Sequence, residues 1–187
     1  MSAQPAPASR KVVTGKCRAS YVNVFQPRRN ELSGKDEYSM VLLVPKSDTG
    51  TVAKLKGAIE SAKADKWGAK IPPGVRNPVN DGDGERPNGG PYGEECFGHW
   101  VLNVKSNRRP GIVDASLQDV INPDDFGSGD YCRASLNAFA YDNASKGVSF
   151  ALNNIQVLER GDSLGGSASR PEDDFEAVGA ANEASPW

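Results

Sequence analysis

The chain of 187 residues fits about one domain, and its 37% apolar and 25% charged residues are ordinary globular values that exclude wholesale disorder. Glycine and proline, at 20 and 13 residues, exceed their usual share and point to many turns between short strands rather than to a helical bundle. The net charge of −2 hides an asymmetry: residues 161–187 carry six acids and one base, which leaves a mildly basic body of net +3.

Residues 1–10 are small and polar and read as a disordered lead-in. Residues 11–25 (KVVTGKCRASYVNVF) are rich in β-branched and aromatic side chains and predict a long strand with an irregularity at Gly15. Within it, Lys16, Arg18 and Ser20 alternate with Cys17, Ala19 and Tyr21. Residues 26–34 form a polar turn holding Arg28 and Arg29, and residues 36–44 predict a second strand that Pro45 stops. A helix follows. Ser47 or Asp48 can cap it by accepting the free N–H groups of its first turn, and Val52, Leu55, Ile59 and Ala62 make one apolar stripe ending before Gly68. Lys54, Lys56, Lys63 and Lys66 lie off that stripe, as on a solvated face. Residues 69–95 are a Gly- and Pro-dense loop of a length that is usually functional or partly disordered. Residues 96–107 predict a strand, residues 108–111 a turn and residues 112–114 a brief strand. Residues 131–141 and 148–159 predict a hairpin around residues 142–147. The domain thus spans residues 11–160, mainly β, with about five or six strands and one helix. From Gly161 onward there is neither periodicity nor apolar mass, and residues 161–187 are expected to be a disordered acidic tail.

Catalytic signals are thin. His99 is the one histidine, so a Ser–His or Cys–His pair would have to use it, and no motif surrounds it. No phosphate-binding G-x-x-x-x-G-K-[ST] occurs. Cys96-x-x-His99 has the spacing of half a zinc site, but completing it would need Cys17 and Cys132 to converge there. Three widely spaced cysteines otherwise read as buried structural residues in a reducing cytoplasm. Asp81, Asp83 and Glu85 in DGDGE look like the start of a calcium loop or the acids of a two-metal nuclease, against the alternative of a turn. No catalytic residue, metal or cofactor is expected. No run approaches the roughly 20 apolar residues that span a bilayer, and MSAQPAPAS lacks the apolar core of a signal peptide, so no membrane association is expected either.

Binding surfaces have more support. Alternation along residues 131–141 puts Tyr131, Arg133, Ser135, Asn137, Phe139 and Tyr141 on one face, with Cys132, Ala134, Leu136, Ala138 and Ala140 on the other. The small apolar set suits a tight barrel interior. The mixed set suits a surface where bases stack and phosphates are neutralised. In residues 96–107, Trp100, Leu102 and Val104 form the apolar side, Asn103 and Lys105 point the other way, and Arg108 and Arg109 follow. Half-buried sheet packing explains any one of these strands alone. Its recurrence in three strands points to a nucleic-acid face made by Lys16, Arg18, Asn103, Lys105, Arg108, Arg109, Arg133, Asn137, Phe139 and Tyr141.

Four stretches are TGKCRASYVNVFQP (14–27), YSMVLLVPKSD (38–48), NPVNDGDGERP (77–87) and the pair VLNVKSNRRPGIVD with CRASLNAFAYDNASKGVSFALNNIQVL. In order and spacing they resemble a family of tailed-phage single-stranded DNA-binding proteins built on the OB-fold, across roughly residues 12–160. The resemblance implies an OB-fold-like five-stranded barrel with one inserted helix, a long loop and a disordered acidic tail. It implies sequence-independent binding of single-stranded DNA in phage replication or recombination, in the cytoplasm of an infected bacterium, without catalysis. Duplex DNA would be at most a weaker ligand. Family members end in an acidic tail with an Asp-Asp-Phe element, matched here by Asp173, Asp174 and Phe175. With Trp187, these would recruit replication or recombination proteins, or compete with DNA for the basic groove. Two other readings stay open: a metal-dependent DNA-processing enzyme using Asp81, Asp83 and Glu85, and a structural or assembly protein of the phage particle.

Overall fold

The computed structural model describes residues 10–31, 33–87 and 89–164. Its elements in chain order are β1 (Lys11–Val13), β2 (Cys17–Arg29), β3 (Asp36–Pro45), α1 (Thr49–Trp67), β4 (Val79–Asp81), β5 (His99–Ser106), β6 (Gly111–Val113), β7 (Tyr131–Asp142) and β8 (Lys146–Glu159). Antiparallel pairing joins β2 to β3, β3 to β5, β2 to β7 and β7 to β8. A parallel contact of β5 with β8, at Val104–Phe150 and Lys105–Ala151, closes the ring. The result is a five-stranded, OB-fold-like barrel. β1 pairs with β7 next to β2, β4 pairs with the second edge of β5, and β6 follows β5 as a parallel partner on the same edge of β8.

Alternation fills the interior. Cys132, Ala134, Leu136 and Ala138 from β7 meet Met40, Leu42 and Val44 from β3, Leu102 and Val104 from β5, and Phe150, Leu152 and Ile155 from β8. Each large side chain among these contributes about 1.5–3 kcal/mol by leaving water. Helix α1 packs Leu55, Ala58, Ile59 and Ala62 into this core. Asp48 caps it: its carboxylate accepts from the Thr51 hydroxyl at 2.6 Å and the Thr51 N–H at 3.1 Å. Those two bonds hold the Asp48 carboxyl below its usual range. At the other end Gly68 donates its N–H to Ala64 O.

The structure corrects the predicted elements in four places. The first strand is two strands, because the chain breaks at residues 14–16. There Thr14 exchanges hydrogen bonds with the Ala134 backbone, and the Gly15 N–H turns to the Thr51 hydroxyl at 2.9 Å. β2 also runs on through the expected polar turn, since Arg28 and Arg29 find register partners in Glu37 and Asp36. The long loop is not featureless. β4 pairs with β5 inside it, Arg76 bridges to Gly147, and Glu85 bridges to Pro91. Cys96 belongs to a single 3-10 turn, Glu94–Cys96, rather than to β5.

Residues 161–164, placed by sequence in the tail, are hydrogen-bonded to the barrel. Fully buried Asp130 accepts from the Gly161 N–H at 3.1 Å and from Arg160 at 2.8 Å. Arg18 holds Asp162 O at 2.8 Å, and the Leu164 N–H reaches Ser128 O at 3.3 Å.

Candidate nucleic-acid interface

A cleft of about 700 Å³ lies on the outer face of β2, β3 and β5. Tyr21, Asn23 and Arg28 line it from β2, Asn103 and Lys105 from β5, and Arg86 and Tyr92 from the loop that precedes β5. Its floor is apolar. Leu43, Val101 and Cys96 form a small buried cluster of their own, outside the barrel, with Val41, Tyr92 and Leu164 packed on it. Tyr21 reaches the cleft because β2 departs from strict alternation. Its φ is +45°, and the register with β3 shifts between Ser20 and Asn23. At 59% exposure Tyr21 stands outside, not on the inner side with Cys17 and Ala19 as alternation predicts. On the loop wall, the Arg86 guanidinium lies 5.5 Å from the Tyr92 ring centroid, and burial raises the Tyr92 phenol pKa.

A second cleft of about 680 Å³ adjoins the first, and both share Lys105. Arg108, Arg109, Phe139, Asn153 and Asn154 line it. Phe139 is 39% exposed, a large apolar ring left facing water. Arg109 stands 5.9 Å from the centroid of Phe25.

Asn103, Lys105, Arg108, Arg109 and Phe139 are therefore brought together around two joined clefts. Asn137 and Tyr141 flank Phe139 on β7, opposite Ala151 and Gly147 of β8. Lys16, Arg18 and Arg133 do not join them. Lys16 pairs with Glu159 and sits over the Tyr131 ring. Arg18 is spent on Gly129 O and Asp162 O, and Arg133 on Gln156. Asp173, Asp174, Phe175 and Trp187 lie outside the described residues. The sequence reading missed Tyr21, Asn23, Arg28, Arg86 and Tyr92. A period-2 argument cannot see through a bulge, and the only signal for Arg86 and Tyr92 was an arginine and a ring in a long loop.

The acidic candidates have a different role. Lys46 Nζ lies 2.6 Å from Asp81 Oδ1 and 2.7 Å from Asp83 Oδ2, and 4.6 Å from the centroid of Trp100. The Lys46 ammonium holds both carboxyls below their usual range, and they in turn raise the lysine pKa. Asp83 also accepts the Gly98 N–H at 2.9 Å. These acids tie the loop to the start of β5, with a lysine where a metal would have to stand, while Glu85 takes part in the separate bridge to Pro91. Among the described residues, no three His, Cys, Asp or Glu side chains are grouped to hold a metal ion. Cys17 and Cys132 are register partners inside the barrel, whereas Cys96 lies in the outer cluster. The four ligands of the conceivable zinc site thus do not converge. Burial pushes the Cys17 thiol up to about 11 and raises those of Cys132 and Cys96, which disfavours their thiolates.

Residues 10–185 match the family model described as Enterobacter phage Enc34, ssDNA-binding protein. The chain belongs to this family. The family is one of binding proteins, not of enzymes. The "Putative protein p50" of Acyrthosiphon pisum secondary endosymbiont phage 1 is 26% identical over 183 residues, covering 92% of this chain and 96% of that protein. Among solved structures, the single-stranded DNA-binding protein from bacteriophage Enc34 in complex with ssDNA is similar with a TM-score of 0.68 at 22% identity. That match covers 87% of this chain and 95% of the other. The single-stranded DNA-binding protein gp2.5 encoded by bacteriophage T7 is similar with a TM-score of 0.58 at 16% identity, covering 92% of this chain and 98% of the other. At these identities the structural likenesses establish the fold. No helix among the described residues is long and apolar enough to cross a membrane.

Proposed function

We propose that the protein binds single-stranded DNA without sequence preference along its two joined clefts, and that it serves phage DNA replication or recombination in the cytoplasm of an infected bacterium. The observation that carries this reading is the continuity of the clefts through Lys105 on one outer face of the barrel. Along that face Arg28, Arg86, Lys105, Arg108 and Arg109 supply cations, while Tyr21, Tyr92 and Phe139 supply rings. Cations neutralise phosphates and release counterions, and rings accept any base by stacking at roughly 1–3 kcal/mol each. Asn103, Asn153 and Asn154 add hydrogen-bonding capacity between them. Bases held in a duplex cannot lie on these rings, so duplex DNA is the weaker ligand. Family membership supports the same ligand.

The acidic segment beyond residue 164 competes with DNA for this face and recruits replication or recombination proteins through Asp173, Asp174, Phe175 and Trp187. The path of the chain supports the competition. Leu164 already rests on the apolar cluster of Leu43, Val101 and Cys96, residues that line the cleft.

The test is fluorescence anisotropy of a labelled oligo-dT titrated with the full chain at two salt concentrations, with duplex as competitor. Salt-sensitive binding that duplex displaces poorly is the expected result. Absence of binding at low salt, by the full chain and by a chain ending at Leu164, would overturn the reading.

A further inference from the structure

The end of the β7–β8 hairpin holds a group of side chains that neither cleft includes. Tyr141 is the register partner of Gly147, two rungs beyond Phe139 and Ser149 on the same face; Phe139 lines one cleft and Ser149 the other. Gly147 is buried and has no side chain because the Tyr141 phenol lies across it. A Cβ placed there would stand 2.6 Å from Tyr141 Cζ and 3.0 Å from Arg76 Cβ. Arg76 is held at this spot by its backbone. Its N–H donates to Lys146 O at 3.0 Å, and its carbonyl accepts from the Val148 N–H at 3.1 Å. The residue comes from the segment that leads into β4, yet it is stitched to β8 as firmly as a strand residue. Arg76 and Lys146 are both exposed, and neither makes an ion pair among the described residues. Asp142 is the register partner of Lys146 but is not bonded to it. The tip of the Tyr141 ring covers Gly147, and the backbone brings Arg76 and Lys146, without ion-pair partners among the described residues, to the same end of the hairpin.

We infer that Arg76, Lys146 and Tyr141 form a further nucleotide subsite, in which Tyr141 stacks a base and the two cations hold the phosphates that flank it. The inference rests on the proposed single-stranded DNA reading and extends it. It adds the hairpin end as the place where the strand leaves the clefts, and it assigns Arg76 a contact that the sequence did not suggest. Gly147 serves the subsite by leaving room for the ring. The geometry also makes the subsite dependent on ligand length. An oligonucleotide short enough to sit within the two clefts does not reach it, and a longer one does.

The test compares the full chain with Arg76→Ala/Lys146→Ala and with Gly147→Ala. Each is titrated with labelled oligo-dT of about 6 and about 16 nucleotides, the range one OB-fold covers. The double substitution is expected to weaken the long oligonucleotide by about tenfold or more and to flatten its log-affinity slope against log salt by about 1.4, two phosphate contacts at roughly 0.7 each. The short oligonucleotide should bind the variant as it binds the unaltered chain. Gly147→Ala, which displaces the ring and keeps both charges, should weaken the long oligonucleotide without changing the slope. Melting temperatures close to that of the unaltered chain establish that the variants fold. Should the double substitution leave affinity and slope for the long oligonucleotide unchanged while Lys105→Ala loses affinity, the subsite is wrong and the clefts stand. Should both lengths weaken equally, the cations act at long range and the subsite is again wrong. Should the unaltered chain bind neither length, the DNA reading falls and this inference with it.

Discussion

Single side chains decide more here than their size suggests. Asp48 holds the first turn of α1 and also fixes Thr51, which receives the Gly15 N–H at the break between β1 and β2. Asp48→Ala is therefore expected to cost about 0.5–2 kcal/mol, the usual value of a lost cap, read by urea unfolding. The contribution has a pH signature. Because the folded carboxyl titrates below its unfolded value of about 3.9, its stabilisation is complete above that pH. It is lost as pH falls through the folded pKa. Asp48→Asn keeps a capping oxygen and should show a flatter decline in melting temperature on acidification. Gly82 is a second such position. A Cβ there would stand 2.6 Å from His99 O and collide with Cys96 O, both backbone atoms that cannot swing away. Gly82→Ala should destabilise by about 1–3 kcal/mol, as overpacking does, with calorimetry as the check. Phe139 is the opposite case. Its ring is partly exposed and outside the core, so Phe139→Ala should leave the melting temperature within a few degrees while weakening oligo-dT by about 1–3 kcal/mol.

At the scale of elements, the loop before β5 becomes a wall of the first cleft because it is fastened at its base. Lys46 reaches from the end of β3 to Asp81 and Asp83, and Asp83 ties in Gly98. Arg86 and Tyr92 hang from this clamp. Both aspartates have lowered pKa values, so their side of the clamp is intact above about pH 4 and released as pH falls through the lowered values. The lysine has a raised value, so its side is intact below about pH 10.4 and lost as pH rises through the folded pKa. The ion pairs are exposed, and their worth lies in placing the loop rather than in global stability. Asp81→Asn with Asp83→Asn should speed hydrogen exchange across residues 82–98 and weaken oligo-dT, with little change in melting temperature. Unchanged exchange there would show that the bridges to β5 and Pro91 suffice alone.

For the whole molecule, charge is arranged by face. Five cations line the joined clefts against two acids, Glu37 and Glu95, and the chain's acidic excess follows residue 160. If each of the five meets a phosphate, log affinity for an oligonucleotide short enough to stay within the clefts should fall with log salt at a slope near −3.5, about 0.7 per contact on a single strand. Ending the chain at Leu164 should tighten oligo-dT binding at low salt and leave it little changed at high salt, where screening removes the competition. Isothermal titration at two ionic strengths measures both. Equal affinity of the two chains at low salt would exclude competition by the tail.

Much of the barrel could be read before the structure. Period-2 alternation in β7 separates Cys132, Ala134, Leu136 and Ala138 from Arg133, Asn137 and Phe139, and burial divides them the same way. The stripe Leu55, Ile59 and Ala62 with a cap at Asp48 likewise locates α1. These features are local: side-chain direction follows from backbone period, and a cap needs only its own first turn. What the chain could not disclose locally came from contacts between distant segments. The bulge that turns Tyr21 outward depends on how β2 pairs with β3, and Arg76 reaches the hairpin end only because β8 offers it hydrogen bonds. Arg18 and Lys16 look like free cations in sequence, yet Asp162, Gly129 and Glu159, more than a hundred residues away, engage them. Sequence pattern determined which residues face in and which face out; the closing of the barrel decided which outward residues share one surface, because only long-range pairing sets neighbours across strands.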